Sequence, residues 1–143
     1  MVYYLNDLLP FFEKQPSLYP IGDKRIKDIK GLNEETYIVK ALKMGWMSNF
    51  PDGKFYPDDK IKRFQLAIIL FRVSKTLPFF SGNNVGYCEI KDVPYSDYTY
   101  KVLSFVVLNN LLTLEDGFFF KDKSVTGREA AKCFSKFRKM LKK

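Results

Sequence analysis

The sequence predicts a mainly α-helical protein, built from helix–loop–helix repeats joined by short extended loops at Asp-Gly. Three observations predict it. The chain resembles itself at a shift of 64 residues, the apolar positions between turn signals follow helical spacing, and each copy places Asp-Gly ahead of an aromatic stretch. The shift pairs Ile26-Lys27-Asp28-Ile29 with Ile90-Lys91-Asp92-Val93, Asp52-Gly53 with Asp116-Gly117, and Phe55 with Phe119. It also pairs Asp58 with Asp122, Ile61 with Val125 and Ala67 with Ala131. Such short copies bury little alone, so all are expected to share one compact interior.

The elements follow in order. Residues 1–25 read as the terminal helix and loop of a partial preceding repeat, 26–80 as repeat 1 and 81–143 as repeat 2. The front piece rests on Leu9-Pro10-Phe11-Phe12, which matches Leu77-Pro78-Phe79-Phe80. A helix over 2–12 would present Val2, Leu5, Leu9 and Phe12, either to the chain's own bundle or to a neighbouring copy in self-association. In repeat 1 a first helix is expected from an Asn33 cap through Met44, with Gly45 as its left-handed stop. Its counterpart spans about 98–110, with Asn110 taking the glycine's place. The second helix of repeat 1, about 62–75, is apolar on almost every side from Leu66 to Phe71 and is expected to be central. Its counterpart, 127–141, is one-sided: Ala130, Phe134, Phe137 and Leu141 oppose Lys132, Lys136, Lys139 and Lys143.

Composition bounds the function. The 143 residues are 46% hydrophobic and 28% charged, as expected of a folded globular chain. No apolar run approaches eighteen residues, so no membrane span is expected, and Met1-Val-Tyr-Tyr lacks the pattern of a signal peptide. The net charge of +8 is uneven. Residues 117–143 hold nine Lys/Arg against two acids, and the first 116 hold fifteen against fourteen. The C-terminal segment therefore favours anionic partners. Histidine is absent, which removes Ser-His-Asp and Cys-His nucleophiles and every His-ligated metal site. Cys88 and Cys133 lack paired spacing, and Cys133 falls on a core face, as a buried free thiol would.

The Asp-Gly loops could be metal loops or turns. A calcium loop needs oxygen ligands at alternate positions, a density that 50–59 and 114–123 do not reach. A tight turn with glycine at positive φ fits better, and it delivers the chain to a helix start, where free amides favour an anion. No metal and no cofactor are expected.

With Asp28-Ile29, Ile38, Ala41, Gly45, Pro51-Asp52-Gly53-Lys54-Phe55, Pro57 and Ile61-Lys62-Arg63 in place, repeat 1 resembles an S-layer homology domain repeat. Repeat 2 resembles it in Lys91-Asp92-Val93-Pro94, Glu115-Asp116-Gly117-Phe118-Phe119 and Val125-Thr126-Gly127-Arg128-Glu129. The resemblance implies repeats around a pseudo-threefold axis with a central helical bundle, and a non-catalytic anchor for anionic, pyruvylated cell-wall polysaccharide outside the cell. It further implies that an arginine at the start of the second helix is the main contact. A guanidinium fork can take a sugar carboxylate in two parallel hydrogen bonds.

Carried onto this chain, the expected ligand set is Arg63 with Lys62, Asp52, Gly53 and Asp28 in repeat 1. In repeat 2 it is Arg128, Thr126, Asp116, Gly117 and Tyr98. Trp46 is either a sugar platform or a core plug. Both copies depart from the family pattern. Gly127 stands where the arginine belongs, and Lys62 and Gln65 replace the capping pair that Thr126 and Glu129 retain. The bland role for Arg63 is a solvated cation or a partner for Asp28. The competing function is a structural, oligomerisation or protein-interaction module that has lost polysaccharide binding. Nucleic-acid binding through the basic C-terminal helix lacks a stacking signature. Glycoside cleavage by Asp28, Asp52 or Asp58 is disfavoured because turns and caps account for them.

Overall fold

A computed structural model describes residues 26–77 and 86–141. The proposed helix 2–12, its apolar positions and the Leu-Pro-Phe-Phe stretches lie largely or wholly outside these residues. The described part is mainly helical: α1 (Glu35–Lys43), α2 (Arg63–Thr76), α3 (Tyr100–Leu108) and α4 (Gly127–Leu141), with a 3₁₀ turn over Lys27–Ile29 ahead of α1. Among the described residues, extended pairing is confined to two isolated bridges, Lys62 with Ser124 and Glu115 with Phe118.

α1 starts one residue later than an Asn33 cap predicts. Glu34 occupies the cap without a side-chain hydrogen bond, and the Leu32 carbonyl receives the Glu35 amide at 3.1 Å. A backbone turn thus substitutes for the asparagine. At the far end Gly45 has φ +68°, the left-handed stop that was expected. Asn110 ends α3 in the same conformation at φ +58°. α2 buries Leu66, Ala67, Ile69, Leu70 and Val73 and packs against α3, where Phe71 meets Phe105 edge-on at 5.1 Å. α4 buries Ala130, Cys133, Phe134, Phe137 and Leu141. Burial pushes the Cys133 thiol up to about 12, so it stays protonated and inert. Lys136 departs from the predicted solvent stripe: its ammonium donates to the Asn110 carbonyl at 2.7 Å, satisfying an orphan acceptor beyond α3.

The chain divides into two compact units between Asp59 and Lys60. In the first, Ile26, Ile29 and Ile38 form a small core with Val39, Leu42 and Phe55 packed against it. The division falls inside the first copy, after its Asp-Gly loop and before its second helix. A sequence repeat and a compact unit are different things in this chain.

The copies share their hydrogen bonds, but not at one constant shift. Asp28 accepts from the amides of Phe55 and Tyr56, and Asp92 accepts from Phe119 and Phe120, each 64 residues on. Between these anchors the shift is 65. α1 and α3 are both nine residues long, and the Trp46 amide bonds to Ala41 as Leu111 bonds to Val106. An extra residue before α3 is cancelled within the Asp-Gly loop. In copy 1 Pro51-Asp52-Gly53 makes a three-residue loop, closed by Phe50 N to Lys54 O at 2.8 Å. In copy 2 Asp116-Gly117 suffices, with φ +53° and +88° and paired bonds between Glu115 and Phe118. These are the three-residue bulged hairpin and the two-residue left-handed turn. The continuous 64-residue register expected from the sequence is thus corrected to 64, then 65, then 64.

Candidate ligand-binding surface

Arg63 opens α2, where its side chain is 2% exposed. Its Nε donates to the Phe119 carbonyl at 2.8 Å and one terminal nitrogen to the Thr113 carbonyl at 2.7 Å. The other terminal nitrogen pairs with the Glu129 carboxylate, and the guanidinium lies 4.7 Å above the centre of the buried Phe119 ring. Every arm of the fork is occupied within its own unit. Arg63 is therefore neither a solvated cation nor a partner for Asp28, whose carboxylate is taken by the Phe55 and Tyr56 amides.

The amides of the α2 start are occupied as well. Arg63 N donates to Lys123 O and Phe64 N to Lys121 O, both at 3.0 Å, while Val125 N donates to Ile61 O at 2.8 Å. Carbonyls of the 121–125 segment stand where an anion would sit. Each helix start keeps one half of a capping box. Gln65 accepts from the Lys62 amide at 2.8 Å, but lysine has no acceptor to offer in return. Thr126 accepts from the Glu129 amide at 3.1 Å, but the Glu129 carboxylate goes to Arg63. The complete box expected at Thr126 is half a box because the buried cation is the stronger partner.

The remaining predicted residues fall into two groups. Asp52 is exposed and locally engaged, accepting from the Lys54 amide at 3.0 Å and from the Tyr56 hydroxyl. These donors, the hydroxyl first, hold its carboxyl below the usual range. Partial burial raises the Asp28 carboxyl, but the Tyr56 and Phe55 amides outweigh it and the balance is lowered. Gly53 and Gly117 supply turn geometry at φ +82° and +88°. Asp116 lends its carbonyl to Lys91 at 3.0 Å. Trp46 is 1% exposed, which leaves no face for a sugar.

Beyond the turn and cap residues, three predicted side chains face solvent. Lys62 is half exposed and loosely paired with Asp122 at 3.4 Å. Arg128, on the open side of the α4 start, pairs with no carboxylate among the described residues. Tyr98 is 81% exposed just before α3, next to a neutralised pair, Lys121 to Asp97 at 2.6 Å. Sequence reasoning missed Glu129, Thr113 and Phe119 as the cage around Arg63, since only folding brings them to α2. It also missed that the exposed Phe118 and Phe120 rings stack on each other, with the Lys91 ammonium over the first and that of Lys123 over the second.

Residues 25–67 match the model of the S-layer homology domain, a family whose members mediate cell-wall and surface anchoring without catalysis. The matched segment runs from the 3₁₀ turn through the Asp-Gly loop to the start of α2, and it supports an S-layer homology domain there. No curated protein matches the chain, and no solved structure does.

Proposed function

We propose that this chain is a non-catalytic anchoring module that holds its protein on anionic, pyruvylated cell-wall polysaccharide outside the cell. The observation that carries this reading is the family match at residues 25–67. It is supported by a second copy that repeats the same carboxylate clamp at Asp92. Because Arg63 is enclosed, the contacts with the polymer's carboxylates fall to exposed cations, Arg128 and Lys62 first. Arg128 can offer a guanidinium fork without breaking any described pair. Both copies belong to one anchoring domain on this reading. No described helix is long and apolar enough to cross a membrane.

The enclosure of Arg63 favours one second reading, a structural or interaction module that has given up its polysaccharide site. Co-sedimentation with purified cell-wall sacculi separates the two. The anchor binds native sacculi and loses them once the secondary polymer is removed with hydrofluoric acid. A chain that ignores native sacculi, or binds stripped ones equally well, is not the proposed anchor.

A further inference from the structure

We infer that the outward face of α4 is a linear track along which the anionic wall polymer lies lengthwise, held by Arg128, Lys132 and Lys139 in turn. This inference rests on the anchoring reading and adds how the polymer is gripped, as a chain of charges along a helix. Arg128, Lys132, Ser135 and Lys139 are all exposed. With about 3.6 residues per turn, they fall within an arc of roughly 60°, opposite the buried face of α4. The result is a straight line of three cations with one hydroxyl among them.

The absence of acids sets this face apart from the other exposed cations. Lys62 pairs with Asp122, Lys121 with Asp97 and Lys123 with Glu115. Lys27 and Lys30 bracket Asp28, and Lys60 follows Asp59. On α4 the sole carboxylate is Glu129, and the buried Arg63 engages it. Arg128, Lys132 and Lys139 pair with no carboxylate among the described residues. Their placement also costs folding energy. Arg128 stands in the first turn of α4, where the helix dipole disfavours a cation, and it faces Lys132 one turn on as a like charge. A bound polyanion relieves both penalties.

The spacing selects a polymer as the occupant. Along the axis, Lys132 lies about 6 Å beyond Arg128 and Lys139 about 10 Å further. A single carboxylated sugar meets one of these cations. A chain bearing a carboxylate on successive repeating units meets all of them, and each later contact forms at the effective concentration set by the first. The Arg128 fork can take one carboxylate in two bonds, while the lysines act as point charges that tolerate a varying chain. No exposed aromatic of α4 interrupts the line, so it offers no stacking platform for the bases of a nucleic acid.

Co-sedimentation of the full chain with native and acid-stripped sacculi tests the track, together with competition by released wall polymer sorted by length. Arg128→Gln/Lys132→Gln/Lys139→Gln is compared with Lys27→Gln/Lys30→Gln/Lys40→Gln, which removes the same charge from exposed positions off α4. Thermal melts first confirm that both variants fold. The α4 variant is expected to bind native sacculi about tenfold more weakly, the scale of three exposed ion pairs, and the control to stay within about twofold of wild type. Long fragments should displace wild type at about a tenth of the sugar concentration that short fragments of the same composition require. Undiminished binding by the folded α4 variant, or equal losses in the two variants, overturns the track and leaves the anchor standing. Equal competition by short and long fragments does the same. Tighter binding to duplex DNA than to released polymer at one salt concentration would assign the face to nucleic acid, contrary to the inference. Failure of wild type itself to bind native sacculi overturns the anchoring reading, and the track with it.

Discussion

Arg63 shows how one residue can keep its place in a motif and change its task. Removing it leaves the Glu129 carboxylate and the carbonyls of Phe119 and Thr113 facing an emptied site. Arg63→Ala is expected to destabilise the chain by roughly 3 kcal/mol, as breaking a buried pair on one side does. Arg63→Lys should recover less than half, because an ammonium cannot reach three acceptors in one plane. Urea melts measure both. Asp97 makes a second prediction at this scale. Lys121, and then Thr99, draw its carboxyl down to about 2. The folded value lies below the unfolded one, so this contribution is complete above about pH 4 and is lost as pH falls towards 2. Melting temperature followed across that window should drop less steeply in Asp97→Asn than in wild type.

Among the elements, the Asp-Gly loops were the most legible. Their spacing announced turns with glycine at positive φ, and both glycines have it. Their differing lengths were hidden, because a two-residue and a three-residue hairpin look alike when Asp-Gly is aligned with Asp-Gly. The difference has consequences. A β-carbon at Gly53 would meet nothing within 4 Å, whereas at Gly117 it would lie 2.8 Å from the Lys91 side chain. Gly53→Ala should therefore cost only the left-handed backbone penalty, about 1–2 kcal/mol. Gly117→Ala should lower the melting temperature further and release Lys91 from the Asp116 carbonyl. Helices α2 and α4 were foreseen to within a residue at their starts, since Lys62 and Thr126 mark where the apolar pattern begins. The Asn33 cap failed because a backbone turn at Leu32 already satisfied the first amide of α1.

For the whole molecule, charge is the property most open to test. The basic excess lies in the last 27 residues, and α4 presents Arg128, Lys132, Arg138 and Lys139 to solvent. Replacing Arg128, Lys132 and Lys139 by Glu should leave the melt nearly unchanged, because exposed charges contribute little to stability. The same variant should leave sacculi at distinctly lower salt than wild type, as read from co-sedimentation across a salt series. Equal salt resistance would place the polymer contacts elsewhere on the protein.

The sequence by itself determined the helices, the duplicated Asp-Gly turns and the resemblance of the first copy to a wall-anchoring family. Those features are written in short-range patterns: apolar spacing, turn residues, and the Asp that recurs ahead of each loop. Only the tertiary structure decided which cation is free. Whether a guanidinium meets water or a carboxylate depends on residues fifty and more positions away, and Thr113, Phe119 and Glu129 reach Arg63 only when the chain has folded. The same distance between sequence and space left Arg128 exposed at the start of α4.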